Sequence, residues 1–281
     1  MIDIFGIDFT STPTRRKHIT CLHARLQDST LRVERLSRWA SLGEFESFLT
    51  SPGPWLAGMD FPFGFARRFI ETMGWPLCWE SYISALGDMD RAAFRTQLNH
   101  YRTTRAPGDK EHRRWADKLA SAISPQKLYG TPVGLMLFEG ATRLQRSTIC
   151  LPGLRPTEDS RVALECYPAL LARRYIGRQA YKNDDPAKQS SAQRDAREAL
   201  WRHLQSDDLL RDYGVRLDAT PDVIDDPSGD AMDALLCAIQ AAWAAQQGTP
   251  RFGQPLGVDS LEGWINDPLL SAESPAGTPL A

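Results

Sequence analysis

Two short apolar segments of the chain end in the same way. Ile4-Phe5-Gly6-Ile7 runs into Asp8, and Trp55-Leu56-Ala57-Gly58-Met59 runs into Asp60, so each closes on a Gly-x-Asp-Phe step. Apolar runs of this length read as strands buried on both faces. Between them lies LGEFESFLTS, where Ser41 and Glu44 have capping-box spacing and Phe45, Phe48 and Leu49 fall on one helical face. A buried strand that follows a helix implies a crossover and a parallel pairing with the first strand. The chain is therefore α/β. A carboxylate leaving an apolar strand needs hydrogen bonds, a cation or solvent, because a bare buried charge is very costly. Asp8 and Asp60 both pose that requirement.

The remaining segments fit the same class. HITCLHARLQD and LRVERLSRW have the β-branched, partly alternating character of strands and make a three-strand meander with the first. Residues 65 to 130 read mostly as a helical insertion, punctuated by Pro107-Gly108, and VGLMLFEGATRLQR is ambiguous between helix and strand. STICLPG suits a short strand before a proline turn. VALECYPA is a clearer strand carrying a third acid, Glu165, and the pattern from Pro186 to about Leu210 is helical. DAMDALLCAIQAAWAAQQG is an Ala-rich helix that Gly248 ends. This gives one domain over residues 1 to 265 and a Pro/Gly/Ser tail over 266 to 281, expected to be disordered.

The 281 residues, 42% of them hydrophobic, are enough for a substantial core. No run approaches a membrane span, and MIDIFGIDFT has an acid where a signal peptide is basic, so a cytoplasmic protein is expected. Five scattered cysteines without a Cys-x-x-Cys pair argue against structural zinc or a disulfide framework. A net charge of -2 hides two opposed segments. Residues 91 to 127 hold nine Lys/Arg against three acids, and residues 206 to 233 hold nine Asp against Arg211 and Arg216. The first can hold phosphate; the second can hold a divalent cation or be solvated surface.

Asp230 and Asp233 lie three residues apart at the start of the last long helix, on one face. Acids in a first helical turn also suit the helix dipole. The apolar run that follows, however, makes this helix pack deep, with the pair facing the core that the first and fourth strands serve. Asp8, Asp60, Glu165, Asp230 and Asp233 can then converge at one sheet edge, where like charges do not all stay ionised without a cation. Two Mg²⁺ or Mn²⁺ ions are the natural partners, in a phosphoryl-transfer clamp. Lys182, beside Tyr181, is a candidate for a substrate phosphate, as are Arg102, Arg105, Arg113 and Arg114 of the basic insertion. Trp75, Trp79, Tyr82, Tyr101 and Trp115 can stack bases or simply fill core. The five histidines show no metal-ligand spacing. Neither Gly-x-Gly-x-x-Gly, Walker A nor Gly-x-Ser-x-Gly occurs.

The order GIDFT, two strands, helix, GMDFPFG and a late DAMDALLCAIQA helix resembles the ribonuclease H-like superfamily, particularly Holliday-junction resolvases. With ECYPAL and the following AYK, it more closely resembles domain-of-unknown-function family 429, predicted nucleases of that fold, from Gly6 to about residue 265. The resemblance implies a ribonuclease H-like mixed sheet, with Asp8 as central metal ligand, Asp60, Asp230 and Asp233 completing the site, and Glu165 beside it. Where resolvases commonly carry Glu on the fourth strand, this chain has Asp60, one methylene shorter. The implied activity is metal-dependent phosphodiester hydrolysis on DNA or RNA, with the insertion's cations gripping backbone phosphates. Two other readings share the core. One is an inactive nucleic-acid or nucleotide binder. The other is an actin-like or sugar-kinase-type phosphotransferase, which needs Gly-rich phosphate loops and a duplicated domain that the sequence does not clearly show.

Overall fold

A computed structural model describes residues 1–271. Its centre is one mixed sheet of β1 (Ile2–Asp8), β2 (Ile19–Gln27), β3 (Thr30–Trp39), β4 (Trp55–Met59), β5 (Arg161–Glu165) and β6 (Arg216–Asp218), in the order β5-β4-β1-β2-β3-β6. β2 alone runs antiparallel to its neighbours. The meander and the parallel β1–β4 crossover are as expected. The crossover helix α1 (Leu42–Leu49) carries the Ser41/Glu44 capping box and buries Phe45, Phe48 and Leu49.

Strand alternation divides the core between the two faces. Ile7, Trp55, Ala57, Met59 and Ala163 lie with the apolar residues of α1 and the insertion. Between β4 and β5 lie α2 (Arg67–Thr72), α3 (Trp79–Gly87), α4 (Arg91–Thr103) and α5 (Trp115–Leu119), which make up the insertion, and then α6 (Val133–Arg146). The ambiguous VGLMLFEGATRLQR segment is thus a helix, and STICLPG contributes only isolated bridges at Cys150 and Leu151. Ile4, Leu56, Val162 and Leu164 face the other way, toward α7 (Pro168–Ile176), α8 (Ser191–Leu204), α9 (Asp207–Tyr213) and α10 (Asp230–Gln247). Trp79, Tyr82 and Tyr101 are buried core residues, and Trp115 is partly exposed.

α10 lies close on the sheet because two glycines allow it. A Cβ on Gly6 would stand 1.9 Å from the Ala234 carbonyl oxygen, and one on Gly58 would stand 2.5 Å from that of Cys237. Gly6 and Gly58 precede Asp8 and Asp60 by two residues, so each shares the face of its aspartate. The Gly-x-Asp step therefore does two things: the glycine admits the helix, and the aspartate meets its first turn.

The chain does not become a tail at residue 266. Asn266 and Asp267 are buried, Asp267 accepts from Gln240 at 2.6 Å and Tyr213 at 2.9 Å, and Pro268–Ser271 forms α11. The rest of the tail expected to be disordered, residues 272–281, lies outside the described residues. Among the described residues, no helix is long and apolar enough to cross a membrane. All five cysteines are free, with only Cys78 exposed.

Candidate metal centre

Asp8 ends β1, Asp60 follows β4 in parallel register, and Asp233 sits in the first turn of α10. The Asp60 amide donates to the Ile7 carbonyl at 2.9 Å, which fixes the two strand ends to each other. Each of the three offers a carboxylate oxygen, and these atoms all lie within 4.8 Å of one another. Asp233 is 1% exposed and Asp8 7%. Burial, with the charges of Asp233, Asp230 and Asp60 adding to it and Lys182 opposing it, holds the Asp8 carboxyl well above the usual carboxylate range. Burial and then Asp233 push Asp60 up to about 7.

Two lysines partly balance these acids. The Lys182 ammonium donates to Asp233 Oδ2, while the Tyr181 hydroxyl donates to Oδ1 at 2.5 Å. Burial alone would lower the Lys182 pKa, but Asp233, Tyr181 and Asp8 outweigh it and raise it well above normal. Gly229 makes room for this contact: its φ is 76°, and a Cβ there would stand 2.5 Å from Lys182 Cβ. Lys17, from the loop after β1, donates to Asp230 at 2.8 Å and Asp184 at 2.7 Å. Asp226 prepares the turn before α10 by accepting from the Ala231 amide at 2.9 Å.

The expected five-acid cluster therefore separates into parts. Asp8, Asp60 and Asp233 form the group. Asp230 is near enough to raise the Asp8 pKa, but its carboxylate is held by Lys17. Glu165 is placed differently, for a reason of strand parity. It pairs with Met59, not Asp60, and so shares the insertion-side face. There Arg114 takes it in a two-pronged pair at 2.5 and 2.7 Å, and the Phe63 amide donates to it at 2.9 Å.

Arg114 was expected on a substrate phosphate, and the structure corrects this. It is 1% exposed and also bound to Asp117 at 2.7 Å, so its charge is spent internally. Arg105 lies over Tyr101 and pairs with Asp109, Arg102 lies over Tyr129, and Arg113 is exposed. None of Arg102, Arg105 and Arg113 lines the cavity beside the aspartates. That cavity, about 270 Å³, runs from Asp60, Asp233 and Lys182 to Phe61, Ile123, Met136 and Tyr167. Sequence reading missed Lys17, whose partner lies 213 positions away, and Asp117. For Tyr181, its adjacency to Lys182 was the available signal.

Sheet and site define a mixed α/β protein with an all-carboxylate centre where two parallel strands and a helix start meet. A family model described as Protein of unknown function (DUF429) matches residues 6–255, and the chain belongs to that family. No curated protein and no solved structure matches it.

Proposed function

We propose that this protein is a ribonuclease H-like hydrolase that cleaves phosphodiester bonds in nucleic acid with Mg²⁺ or Mn²⁺. One observation carries the reading: Asp8, Asp60 and Asp233, drawn from three elements, bring carboxylate oxygens within 4.8 Å of one another in a largely buried site. The element order supports the fold assignment, with β1, β4 and α10 supplying the acids in the sequence on which the resemblance rests.

The donor set fits a hard divalent ion, since it offers oxygen alone and neither sulfur nor imidazole. Charge balance fits as well. Asp8, Asp60, Asp230 and Asp233 face the ammonium groups of Lys17 and Lys182, which leaves two negative charges when all are ionised. Asp8, Asp60 and Asp233 would hold one ion with both lysines in place, and a second ion would require a lysine to withdraw. The bound ion would supply Lewis-acid polarisation of the phosphate and acidify the attacking water.

The remaining work belongs to the chain. Tyr181 and Lys182 fix both oxygens of Asp233 and hence its orientation. Lys182, about a third exposed at the cavity, is the cation placed to give a further N–H to a phosphate oxygen while it holds Asp233. The Arg114–Glu165 pair holds β5 to the insertion and shapes the cavity wall.

The test is a substrate panel of single-stranded, duplex and branched DNA and of RNA, with Mn²⁺, run beside Asp8→Asn. Cleavage by the parent that is absent in the variant is expected. Mn²⁺ binding without turnover on any substrate points instead to an inactive binder, and phosphate transfer from a nucleoside triphosphate to a hydroxyl points to a phosphotransferase.

A further inference from the structure

The carboxylate cavity does not end at Lys182. A groove of about 580 Å³ between the end of α5 and α7 shares Ala169, Tyr181 and Lys182 with it, so the two adjoin. Its lining includes Arg173, Arg178 and Lys182 and no Asp or Glu. Arg173 is held in place without a carboxylate: it donates to the Ala120 carbonyl and the Tyr167 hydroxyl, both at 3.1 Å, and its guanidinium lies 5.4 Å over the Tyr167 ring. Arg178 is exposed and makes no ion pair among the described residues.

The larger groove on the insertion contrasts with this. It holds Arg67, Arg68, Arg113 and Lys118, but four acids line it too, Arg67 is clamped to Asp259 at 2.5 Å, and it shares no lining residue with the carboxylate cavity. In that groove cations and acids are interleaved, whereas the α7 groove is lined by cations alone among its charged residues. In the α7 groove, Arg173 and Arg178 make no ion pair among the described residues and no acid lines the wall.

We propose that the α7 groove is the track of a single-stranded nucleic acid, with one unpaired base in the cavity and the adjoining phosphates passing Lys182, Arg173 and Arg178. This rests on the nuclease reading for which phosphate is cut. An engineered apolar cavity of about 150 Å³ takes a benzene ring. About 270 Å³ walled by Phe61, Pro62, Ile123, Met136 and Tyr167 thus has room for one base. A cationic groove leading to an aromatic-lined cavity is the arrangement by which single strands are held without sequence preference.

The test is fluorescence anisotropy with a labelled oligothymidylate and a blunt duplex of equal length, across a salt series, with Ca²⁺ replacing Mn²⁺ to hold off cleavage. The single strand is expected to bind more tightly than the duplex. The double variant Arg173→Ala/Arg178→Ala is expected to weaken it at least tenfold and to flatten the salt dependence by about 0.7 per lost contact. Arg178→Glu serves as the second variant, because this exposed side chain has no internal partner whose loss could unfold the protein, and a larger loss is expected from it. Parent-like binding by these variants, preference for the duplex, or a salt slope carried instead by Arg102→Ala/Arg113→Ala overturns the track. The two readings fail separately. Oligonucleotide binding that depends on Arg173 and Arg178 without Mn²⁺-dependent cleavage removes the nuclease and leaves the track, whereas cleavage unaffected by these variants does the reverse.

Discussion

Asp60 shows what burying a carboxylate among others costs a metal-free protein. Its pKa, pushed up to about 7 by burial and Asp233, stands above the ~3.9 of an unfolded aspartate. The folded state therefore binds this proton more tightly than the unfolded state does. The resulting stability is fully present below pH ~3.9 and is lost as pH rises through about 7. Asp60→Asn cannot ionise, so in chelator the stability difference between variant and parent is expected to grow in the variant's favour from pH 5 to pH 8. Urea midpoints at several pH values read this directly, and a pH-independent difference would contradict the placement of Asp60. Divalent metal has the opposite dependence, because it must displace the proton: Mn²⁺ affinity is expected to fall as pH drops below 7. Asp233, almost wholly buried, has its two oxygens occupied by Tyr181 and Lys182. The same three aspartates thus meet different needs by different means, and only Asp8 and Asp60 are left with each other.

At the scale of elements, α10 and the two strands beneath it are a single device. Gly6→Ala places a methyl group 1.9 Å from a backbone oxygen of α10, so the helix must shift or the strand must bend. A loss of about 1–3 kcal/mol or more is expected in urea unfolding, together with weaker Mn²⁺ binding, since Asp233 moves with the helix. Gly43→Ala in α1 is the contrast, because its nearest neighbour would be 3.8 Å away and helix propensity alone should stabilise by about 0.5–1 kcal/mol. If Gly6→Ala behaved like Gly43→Ala, the close packing of α10 would be refuted. This dependence on neighbours also explains what the sequence could and could not reveal. β1 to β4, α1 and α10 were legible because periodicity and capping are local. β6, three residues long, exists only through its pairing with β3, and α6 was ambiguous because it buries Leu135, Leu137, Phe138 and Ala141 around more than one face. Asp8 and Asp60 were legible as acids that close apolar strands, and Asp233 as one of a pair three residues apart at the start of a helix that packs deep. The separate fates of Asp230, Glu165 and Arg114 were not, because each is decided by a partner remote in the chain or by strand register.

On the scale of the whole molecule, charge that is nearly balanced in sum is sorted by location. Within the basic insertion, Arg68 and Arg105 are paired with Asp109, Arg91 with Glu139, and Arg114 with Asp117 and Glu165, so part of its charge is neutralised internally. The acids of the centre, in contrast, outnumber their ammonium partners by two when ionised. That deficit joins segments near residues 8, 60 and 230, which an unfolded chain does not hold together, so an ion in the centre binds the native state alone. Linkage then fixes the size of the effect. At a free Mn²⁺ concentration 100 times its dissociation constant, the native state should gain about 2.7 kcal/mol, seen as a rise in melting temperature that Asp8→Asn abolishes. Titration calorimetry should count one ion per chain, because Lys17 and Lys182 occupy the space and charge that a second would need. Two ions per chain would show that a lysine withdraws when the centre fills, and an unchanged melting temperature at saturating Mn²⁺ would mean that the three aspartates are held together without serving a metal at all.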